Sequence, residues 1–578
     1  MERIYSSAGM RRIDEYTIDQ GFKSARELME TAAARVFDVV WRRIETDLSW
    51  QNIEAEEESP CVVGVLAGVG NNGGDGIAVV RKLLQRAQDY PKLTIKLLVV
   101  GDTSEESNRT TYAWREQWDL LQEEGRDGEG AMSPKLSYRH ILPEWEYTDE
   151  ELKEELKDCT ILVDALFGIG LSRPVTGVFA QVVRAAAATD CPVIAVDMPS
   201  GVSTDSGAVL GVALPATTTV TFGYRKRGQL LLPGRELCGE LIVADIGFAS
   251  DAPVVALSDP FSGSEIIRVE RPDIPKPTYI WDADDIAAVL PKRPAYSHKG
   301  TFGTTAFVAG SRGMAGAALI GAMAAYRGGT GLVMLLSDAE NRLILQTGVP
   351  EAVFLPWQSG SSLERLRSLD PKKSALVIGP GLGANAEGKQ VLQGLLKALN
   401  ETPGLPLVID ADALNLMAKH DSIDRMVRDY AKTDAPVILT PHVGEMIRLL
   451  SRNEEWSDAQ KVKTQLPTAA QEVAKYYNAV CIAKDASTVI AMPDGELVVN
   501  TTGCAALAVA GSGDALAGLI GSLLAQGADA KNAAICGVFI HGRAGEEAAQ
   551  RVGTRSCMAR DIVDGIASVY RVDFSERE

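Results

Sequence analysis

The segment CVVGVLAGVGNNGGDGIAVVRKLLQRAQ, residues 61–88, shows how the amino-terminal half of the chain is built. Residues 61–68 form a short apolar run, which is typical of a buried strand, and residues 77–88 have the apolar spacing of a helix. A glycine-rich loop at residues 70–76 joins the two. This order of strand, loop and helix, when it is repeated, predicts a parallel sheet with helices on both of its faces.

The same order continues through the first half of the chain. Apolar residues at helical spacing predict helices over residues 10–47, whereas the polar stretch 123–151 is interpreted as a surface insertion. Further strands are predicted at residues 94–100, 160–166, 192–198, 217–223 and 240–248. We therefore predict a doubly wound α/β domain for this half.

A second α/β series follows a proline-rich break in the chain. Pro272, Pro275 and Pro277 discourage a helix between residues 250 and 282. Beyond the break, strands are predicted at residues 304–310, 331–337, 374–380, 406–410, 436–440 and 479–484. We place the boundary near residue 270, which gives two different α/β domains, residues 1–270 and residues 271–578.

Composition limits the possible partners. The 578 residues include 58 basic and 77 acidic side chains, so the formal charge is −19. This balance argues against nucleic acid or an anionic membrane surface as the main partner, because such partners bind clustered Lys and Arg. The eight cysteines form no CxxC pair, and the amino terminus has no apolar core of signal-peptide length. We expect a cytoplasmic protein without a membrane span, a disulfide framework or a zinc site.

Polar residues follow the predicted strands of the first half where the strands end. Asn72 lies in the glycine-rich loop, Asp164 ends one strand, and Asp197 ends the next, with Ser200 three residues later. The carboxyl ends of parallel strands meet at one crevice, which is where such sheets bind ligands. Glycines let the loop backbone approach a ligand, and the following helix offers free N–H groups to an anion. We therefore expect these four side chains to share a pocket.

The second half has a different signal, GSGD at residues 511–514, in front of an apolar helix. Consecutive backbone N–H groups there can hold an oxyanion while Asp514 takes a proton from an attacking hydroxyl, and this arrangement suits phosphoryl transfer. His442 stands beside Gly444 in a loop, where we expect it to contact a ligand. Residues 484–488 link two short predicted strands, and we expect them to bind a nucleotide phosphate.

The motifs at these loops resemble two enzyme families. The first half resembles the NAD(P)H-hydrate epimerases through NNGGDG (71–76), VDALFGIGLSRP (163–174) and DMPSG (197–201). The second half resembles the ADP/ATP-dependent NAD(P)H-hydrate dehydratases of the ribokinase-like superfamily. The motifs it shares with them are HKGTFG (298–303), GPGLG (379–383), PHVGE (441–445) and GSGDALAG (511–518). Together the two resemblances cover nearly the whole chain, in the order of the bifunctional repair enzymes.

The resemblance implies what each half does. A Rossmann-like amino-terminal domain would interconvert the R and S epimers of hydrated NADH and NADPH with the help of K⁺. A ribokinase-like carboxy-terminal domain would dehydrate the S epimer to NADH or NADPH, and it would consume ADP or ATP with Mg²⁺. We also expect the chain to form a homo-oligomer.

The resemblance also implies site residues, position by position. In the first half, Asp197 would be the acid/base group, and K⁺ would be bound by Asn72, Asp164 and Ser200. The hydrate would contact residues of two loops, namely Asn71, Asn72, Gly73, Gly74 and Asp75, and Gly168, Ile169, Gly170, Leu171, Ser172, Arg173 and Pro174.

In the second half, the resemblance makes Asp514 the base that acts on the hydrate. The hydrate would also contact Ala317, Gly381 and His442. The nucleotide would contact Lys484, Asp485, Ala486, Ser487, Thr488 and Gly513.

Three positions depart from the family pattern. Val69 and Val443 stand where the family usually has Pro, which changes only the stiffness of the two loops. Asp485 stands where the family usually has Gly after the lysine. A carboxylate there would repel nucleotide phosphates unless it points away, so nucleotide affinity is the property that Asp485 affects.

Two alternatives remain open at this point. The carboxy-terminal half could be a vitamin or sugar kinase, because the superfamily shares the Gly-Asp active site, and the product would then keep its phosphate. The amino-terminal half could be a binding module that senses a nucleotide without catalysing a reaction.

Overall fold

The computed structural model describes residues 1–51, 60–104, 109–126, 131–249 and 275–574, without the side chains of residues 47–51. The chain divides into two compact units, Arg3–Pro277 and Thr278–Glu578, with Met1–Glu2 grouped with the second. The predicted boundary near residue 270 lies outside the described residues. The domain limits therefore stay a prediction.

The amino-terminal half alternates strands and helices along the chain, as predicted. Its strands are β1 (Glu2–Ile4), β2 (Cys61–Ala67), β3 (Leu93–Val100), β4 (Leu136–Ile141), β5 (Ile161–Ala165), β6 (Val193–Val196), β7 (Thr218–Phe222) and β8 (Glu240–Ala244). Its helices are α1 (Ser7–Asp19), α2 (Ala25–Gln51), α3 (Asn71–Ala87), α4 (Tyr112–Glu124), α5 (Asp149–Leu156), α6 (Gly177–Ala187) and α7 (Gly234–Leu237).

The strands β2 to β8 form a parallel sheet in the order β4-β3-β2-β5-β6-β7-β8. The chain proceeds outward from β2 in one direction and from β5 in the other, so a topological switch point lies between these two strands. Ligands of doubly wound sheets bind outside the carboxyl ends of the strands at such a point. The predicted doubly wound, Rossmann-like α/β fold is confirmed.

Apolar residues cover both faces of this sheet. Val63 and Val65 of β2 belong to a core with α2, α3 and α4, whereas Val62 and Leu66 belong to a second core with α5 and α6. Successive side chains of a strand point to opposite faces, so a strand that is covered on both sides has a continuous apolar run. This is why CVVGVLA shows no alternation of polar and apolar residues.

Two predictions about this half are wrong. Helix α3 begins at Asn71, not at residue 77, because its glycines allow close packing rather than a loop: a Cβ on Gly73 would lie 1.9 Å from the carbonyl oxygen of Gly68. The stretch 123–151 is not an insertion, because β4 forms the edge of the sheet beside β3. In β4 only Leu136 and Ile141 are buried. The residues between them are mostly polar, so the sequence contains no apolar run that would predict a strand here.

The second unit also alternates strands and helices. Its strands are β9 (Thr278–Ile280), β10 (Thr304–Val308), β11 (Leu332–Ser337), β12 (Val353–Pro356), β13 (Ser374–Ile378), β14 (Leu407–Ile409), β15 (Val437–Leu439), β16 (Val480–Ala483), β17 (Val489–Ala491) and β18 (Leu497–Val499). Its helices are α8 (Ala283–Val289), α9 (Ala315–Arg327), α10 (Arg342–Gly348), α11 (Gly360–Arg367), α12 (Ala386–Glu401), α13 (Ala411–Lys419), α14 (Asp421–Tyr430), α15 (Val443–Leu450), α16 (Ala459–Thr464), α17 (Leu466–Tyr477), α18 (Ser512–Ala525), α19 (Ala530–Val552) and α20 (Ala559–Asp573).

These strands lie in the order β9-β18-β17-β16-β15-β14-β13-β10-β11-β12. The pairs β16–β17 and β17–β18 are antiparallel, and the other neighbouring pairs are parallel. The chain proceeds outward from β10 and from β13, so this unit has its own switch point between them. The second predicted α/β domain is confirmed, with β9, β12 and β18 added to the predicted strands.

The helices in the described part of the chain are too short or too polar to cross a bilayer.

Candidate active sites

A cavity of about 850 Å³ opens in the first unit. The first turn of α3, the loop that follows β5, and Asp197, which follows β6, all line this cavity, together with residues of α1 and α2. It therefore lies at the carboxyl ends of the strands beside the switch point, where a ligand is expected.

Most of the residues predicted for this site line the cavity. They are Asn71, Asn72, Asp75, Gly168, Ile169, Gly170, Leu171, Ser172, Arg173 and Asp197. Gly73 and Gly74 instead face the protein, where added side chains would meet Gly68 and Met29. Asp164 and Ser200 are fully buried, and neither they nor Pro174 line the cavity.

Asp197 has a backbone conformation that is rare for a residue with a side chain. Its φ is 65°, in the left-handed region, and such strain tends to occur at functional sites. Its Oδ1 accepts hydrogen bonds from Thr221 Oγ1 at 3.1 Å, from the N–H of Phe222 at 3.1 Å and from Nζ of Lys226. Gln229 Nε2 donates to the carbonyl oxygen of Asp197 at 2.8 Å. The carboxylate is therefore held in one orientation.

Lys226 is a site residue that sequence reasoning missed. Its side chain is 1% exposed and lines the cavity, and Nζ also donates to Thr221 Oγ1 at 2.8 Å and to the carbonyl oxygen of Phe222 at 2.9 Å. Burial lowers the pKa of Lys226, and the charge of Asp197 opposes that effect. Lys226 lies in YRKRG, where nothing in the sequence tells which of three adjacent cations turns inward.

Asp14 and Asp75 also line the cavity, and neither carboxyl group has a hydrogen bond or an ion pair within the described residues. Burial, together with the charges of Glu15 and Asp197, raises the pKa of Asp14 to about 6. Burial and the charges of Asp197 and Asp14 raise the pKa of Asp75 well above its usual value. Asp14, on α1, was not predicted, because no motif sets it apart in its helix.

Asp164 and Ser200 lie at the interior end of this site. Ser200 Oγ donates to Asp164 Oδ1 at 2.6 Å, and the N–H of Ser200 donates to Asp164 Oδ2 at 2.7 Å. Burial raises the pKa of Asp164 to about 6, and no cationic side chain within the described residues pairs with it. Asn72 Nδ2 is buried without a partner among those residues. A buried, unpaired carboxylate with amide and hydroxyl oxygens supplies the hard oxygen ligands that fit K⁺.

The second site surrounds the start of α18. This helix begins at Ser512, after Gly511 with φ of 90°, and no side chain caps its first N–H groups. Asp514 lies in the first turn. Burial and the charge of Asp410 raise the pKa of Asp514 to about 6, although Lys484 opposes this shift. The predicted combination of free N–H groups and a carboxyl group is therefore present.

Lys484 reaches this helix from the end of β16. Its Nζ lies 2.7 Å from Asp410 Oδ1, and a Cβ on Gly513 would lie 3.3 Å from the same Nζ. Burial alone would lower the pKa of Lys484, but the charges of Asp410 and Glu445 outweigh it and raise the pKa. The side chain is therefore cationic. Asp410 was missed, although it ends the predicted strand 406–410 in the way that Asp164 and Asp197 end theirs.

His442 belongs to the same cluster. The N–H of Lys484 donates to the carbonyl oxygen of Pro441 at 2.8 Å, which joins the loop of His442 to that of Lys484. His442 Nδ1 accepts from the N–H of Gly444 at 3.0 Å, and Glu445 Oε2 accepts from the N–H of His442 at 2.9 Å. Burial raises the pKa of Glu445 to about 7.

Ala317 and Gly381 meet at the switch point of this unit. Gly381, with φ of 58°, follows β13, and a Cβ on it would lie 3.0 Å from the Cβ of Ala317 on α9. One turn later on α9, a Cβ on Gly321 would lie 3.4 Å from the carbonyl oxygen of Asp514. Of the two predicted hydrate contacts, Ala317 is thus on the helix that packs beside α18, and Gly381 lies in the loop that contacts this helix.

The predicted nucleotide loop connects β16 to β17, as the sequence indicated. Asp485 and Ala486 are exposed, Thr488 is half-buried and Ser487 is buried. Asp485 Oδ1 accepts a hydrogen bond from the N–H of Ala486 at 2.8 Å. This hydrogen bond uses the N–H group of Ala486, which would otherwise be free to bind an anion.

Known proteins match both halves of the chain. Residues 305–568 match the family described as NAD(P)H-hydrate dehydratase, and residues 25–228 match the family described as YjeF-related protein N-terminus. A protein named bifunctional NAD(P)H-hydrate repair enzyme Nnr, from Thermofilum pendens, is 34% identical over 89% of this chain and 87% of its own. The Nnr of Moorella thermoacetica is 31% identical over 98% of this chain and 96% of its own.

Among solved structures, an ADP/ATP-dependent NAD(P)H-hydrate dehydratase from Bacillus subtilis, co-crystallised with ATP and Mg²⁺, is 30% identical. The match covers 51% of this chain and 99% of the other, with a TM-score of 0.44. The full-length relatives decide the family, because their identity of 34% and 31% extends over most of both chains. The chain belongs to the family of bifunctional NAD(P)H-hydrate repair enzymes.

Proposed function

We propose that this protein repairs hydrated NADH and NADPH. Its amino-terminal half interconverts the R and S epimers of the hydrate, and its carboxy-terminal half dehydrates the S epimer at the expense of ADP or ATP. One observation supports both steps. In each unit, an aspartate at the carboxyl ends of the strands lies near a lysine. Asp197 pairs with Lys226, which also donates to Thr221 and Phe222, and Asp514 lies near Lys484, which is paired with Asp410.

Epimerisation requires that one stereocentre be erased and rebuilt. C6 of the hydrated ring carries the hydroxyl group and is bonded to the ring nitrogen, so either the C–O bond or the ring can open. Asp197 is the group that moves the proton, and Lys226 and Thr221 hold its carboxylate in place. Acid–base catalysis by a positioned side chain contributes about 10²- to 10⁴-fold to a rate.

Asn72, Asp164 and Ser200 would hold K⁺ in this half. When bound, K⁺ supplies positive charge around which ligand oxygens are arranged. The N–H of Phe167 donates to Ser200 Oγ at 3.0 Å, which ties these residues to the loop 168–174 that lines the cavity. Ser200 therefore also helps to fix the position of that loop.

Dehydration requires a better leaving group than hydroxide. Transfer of a phosphoryl group from ADP or ATP to the C6 hydroxyl provides one, and elimination of phosphate then restores the nicotinamide ring. Asp514 takes the proton of the attacking hydroxyl, while the N–H groups at the start of α18 and the ammonium of Lys484 stabilise the transferring phosphoryl group. Mg²⁺, when bound with the nucleotide, would neutralise part of the charge of its phosphates.

Phosphate release distinguishes this function from that of a kinase. With the S epimer, ADP and Mg²⁺, we expect the absorbance of the reduced nicotinamide to return with one inorganic phosphate per molecule repaired. A vitamin or sugar kinase would leave the hydrate unchanged, or would give a product that keeps its phosphate.

Asp197→Asn distinguishes an epimerase from a sensor. We expect the variant to lose epimerisation while it still binds the hydrate, because the amide keeps the shape of the side chain but cannot take up a proton. A binding module would leave the epimer ratio to spontaneous exchange both before and after the substitution.

We also propose a cytoplasmic location and a homo-oligomeric state. Every cysteine of the chain is a free thiol, as is usual in a reducing compartment. Leu343, Ile344 and Val353 are exposed on α10 and on the edge strand β12, where a second copy could cover them. Cell fractionation tests the location, and light scattering of the purified protein tests the oligomeric state.

A further inference from the structure

The first cavity holds more acid/base groups than a single proton transfer uses. Asp14, Asp75 and Asp197 all line it. Asp197 is paired with the buried ammonium of Lys226, whereas the carboxyl groups of Asp14 and Asp75 have no hydrogen bond or ion pair in the described ranges. One carboxylate is thus engaged by a lysine, whereas the other two carboxyl groups have no such partner.

Asp14 reaches the cavity from a different element than Asp197 does. Asp14 lies on α1, whose residues Met10 and Ile13 pack against the protein, whereas Asp197 follows β6. Glu15, the next residue, also lines the cavity but is exposed to solvent. The remaining charged side chains of the lining are Arg11, Asp75, Arg109, Arg173 and Lys226.

Electrostatics favours a proton on this second group. Burial and the charges of Glu15 and Asp197 raise the pKa of Asp14 to about 6, so its carboxyl group holds a proton more readily than an exposed aspartate does. A neutral acid beside an ionised base is the combination that general acid–base catalysis requires.

Inversion at C6 has different requirements in its two possible routes. If the ring opens, one group can move the hydroxyl proton off and on, and the oxygen atom is retained. If the C–O bond opens, water leaves from one face and another water returns to the opposite face. That route needs an acid for the departing oxygen and a base for the incoming water.

Building on the proposed epimerase function, we propose that Asp14 is a second catalytic carboxyl group and that inversion proceeds through the loss and return of water. Asp14 acts on the hydroxyl at one face of the ring, and Asp197 acts on the water at the other face.

The bonds and protons balance in this route. The C6–O bond breaks, the oxygen takes its electron pair and the proton of Asp14 and leaves as water, and the ring nitrogen forms a C=N bond to C6. A second water bonds to C6 from the opposite face and gives a proton to Asp197, and the nitrogen regains its electron pair. Asp14 is then ionised and Asp197 is protonated, which is the state required to invert the other epimer.

Isotopic water tests the route directly. The wild-type enzyme is incubated with one purified epimer in ¹⁸O-labelled water with K⁺ present, and label and inversion are measured together at early times by mass spectrometry and chromatography. We expect one ¹⁸O atom at C6 for each inversion catalysed. Inversion without label, or label that lags behind inversion, would mean that the ring opens and would overturn the proposal.

Variants test the residue. Asp14→Asn removes the proton donor but keeps its size, and we expect the inversion rate to fall by about a hundredfold or more. Asp19→Asn removes a charge from an exposed residue of the same helix that does not line the cavity, and it should leave the rate within about twofold. A labelled product formed by Asp14→Asn at the wild-type rate would exclude Asp14 as the acid. A wild-type enzyme that does not accelerate inversion would refute the epimerase function itself, and this inference with it.

Discussion

Lys226 donates a hydrogen bond from a buried ammonium group to the carboxylate of Asp197, a residue whose φ lies at 65°. Thr221 contacts both partners, since its hydroxyl donates to Asp197 and accepts from Lys226. The ion pair with Lys226, the hydroxyl of Thr221 and the strained backbone therefore fix the carboxylate of Asp197 at the wall of the cavity. A preorganised group of this kind loses little freedom when substrate binds.

Lys226→Met tests this arrangement. Removing one partner of a buried ion pair leaves an uncompensated charge and costs about 3–5 kcal/mol. We expect the denaturant-induced unfolding of the first unit to shift to lower concentration by a matching amount, and epimerisation to fall by about a hundredfold. Lys82→Met is the control, because Lys82 pairs with Glu30 at a more exposed position and should cost about 1 kcal/mol or less. Equal losses in the two variants would contradict the account.

Asp514→Asn should stop dehydration and spare epimerisation. The amide cannot accept the hydroxyl proton, so we expect the dehydration rate to fall by about a hundredfold or more. The epimer ratio, measured by chromatography of the same sample, should still reach equilibrium at the wild-type rate. A dehydratase that keeps its rate would show that another group is the base.

The pH dependence of dehydration should follow Asp514. Because burial raises its pKa to about 6, the carboxylate form that acts as base is lost as pH falls through that value. We expect kcat/KM for the S epimer to be level above pH of about 7 and to decline tenfold per pH unit below about 6. We would measure kcat/KM of the wild-type enzyme across the pH range in which its unfolding temperature does not change. A profile that stays level to pH of about 5 would exclude Asp514.

K⁺ should be needed for epimerisation alone. Asp164→Asn weakens the proposed ligand set, so we expect the K⁺ concentration for half-maximal epimerisation to rise by about tenfold or more. Titration of KCl at constant ionic strength measures this concentration, with dehydration of the S epimer as the internal reference. Epimerisation that is unaffected by replacing K⁺ with choline would rule out the ion.

Asp485 should weaken nucleotide binding. Asp485→Asn keeps the oxygen that accepts from the N–H of Ala486 but removes the charge. A charge about 4 Å from a phosphate contributes about 1 kcal/mol in water, so we expect KM for ADP or ATP to fall by about fivefold. High salt should reduce the difference, because it screens exposed charges. If KM does not change at low salt, the carboxylate is too far from the phosphates to matter.

Residues that follow a local pattern could be predicted from the sequence. Asp164 is the last residue but one of β5 and Asp197 directly follows β6, and parallel strands bring their carboxyl ends together whatever the rest of the chain does. The start of α18 could be predicted for the same reason, since GSGD precedes an apolar helix. Asp410 ends a strand in the same way, and the same rule applied to β14 would have included it.

The residues that were missed depend on distant parts of the chain. Asp14 and Lys226 enter the first cavity from segments with no distinguishing pattern, and only the packing of α1 and the turn after β7 brings them to Asp197. The start of α3 was misplaced because the contact that requires Gly73, with the backbone of Gly68, is made in three dimensions. The edge strand β4 was missed because only its ends are buried.

The most direct test of the two-step repair uses both hydrate epimers at once. The protein is incubated with an equal mixture of R and S hydrate, ADP, Mg²⁺ and K⁺, beside a reference in which Asp197→Asn limits the reaction to spontaneous epimerisation. We expect both epimers to be converted completely to the reduced coenzyme, with one inorganic phosphate released per molecule, faster than in the reference. Consumption of the S epimer alone, with the R epimer disappearing at the spontaneous rate, would contradict the account.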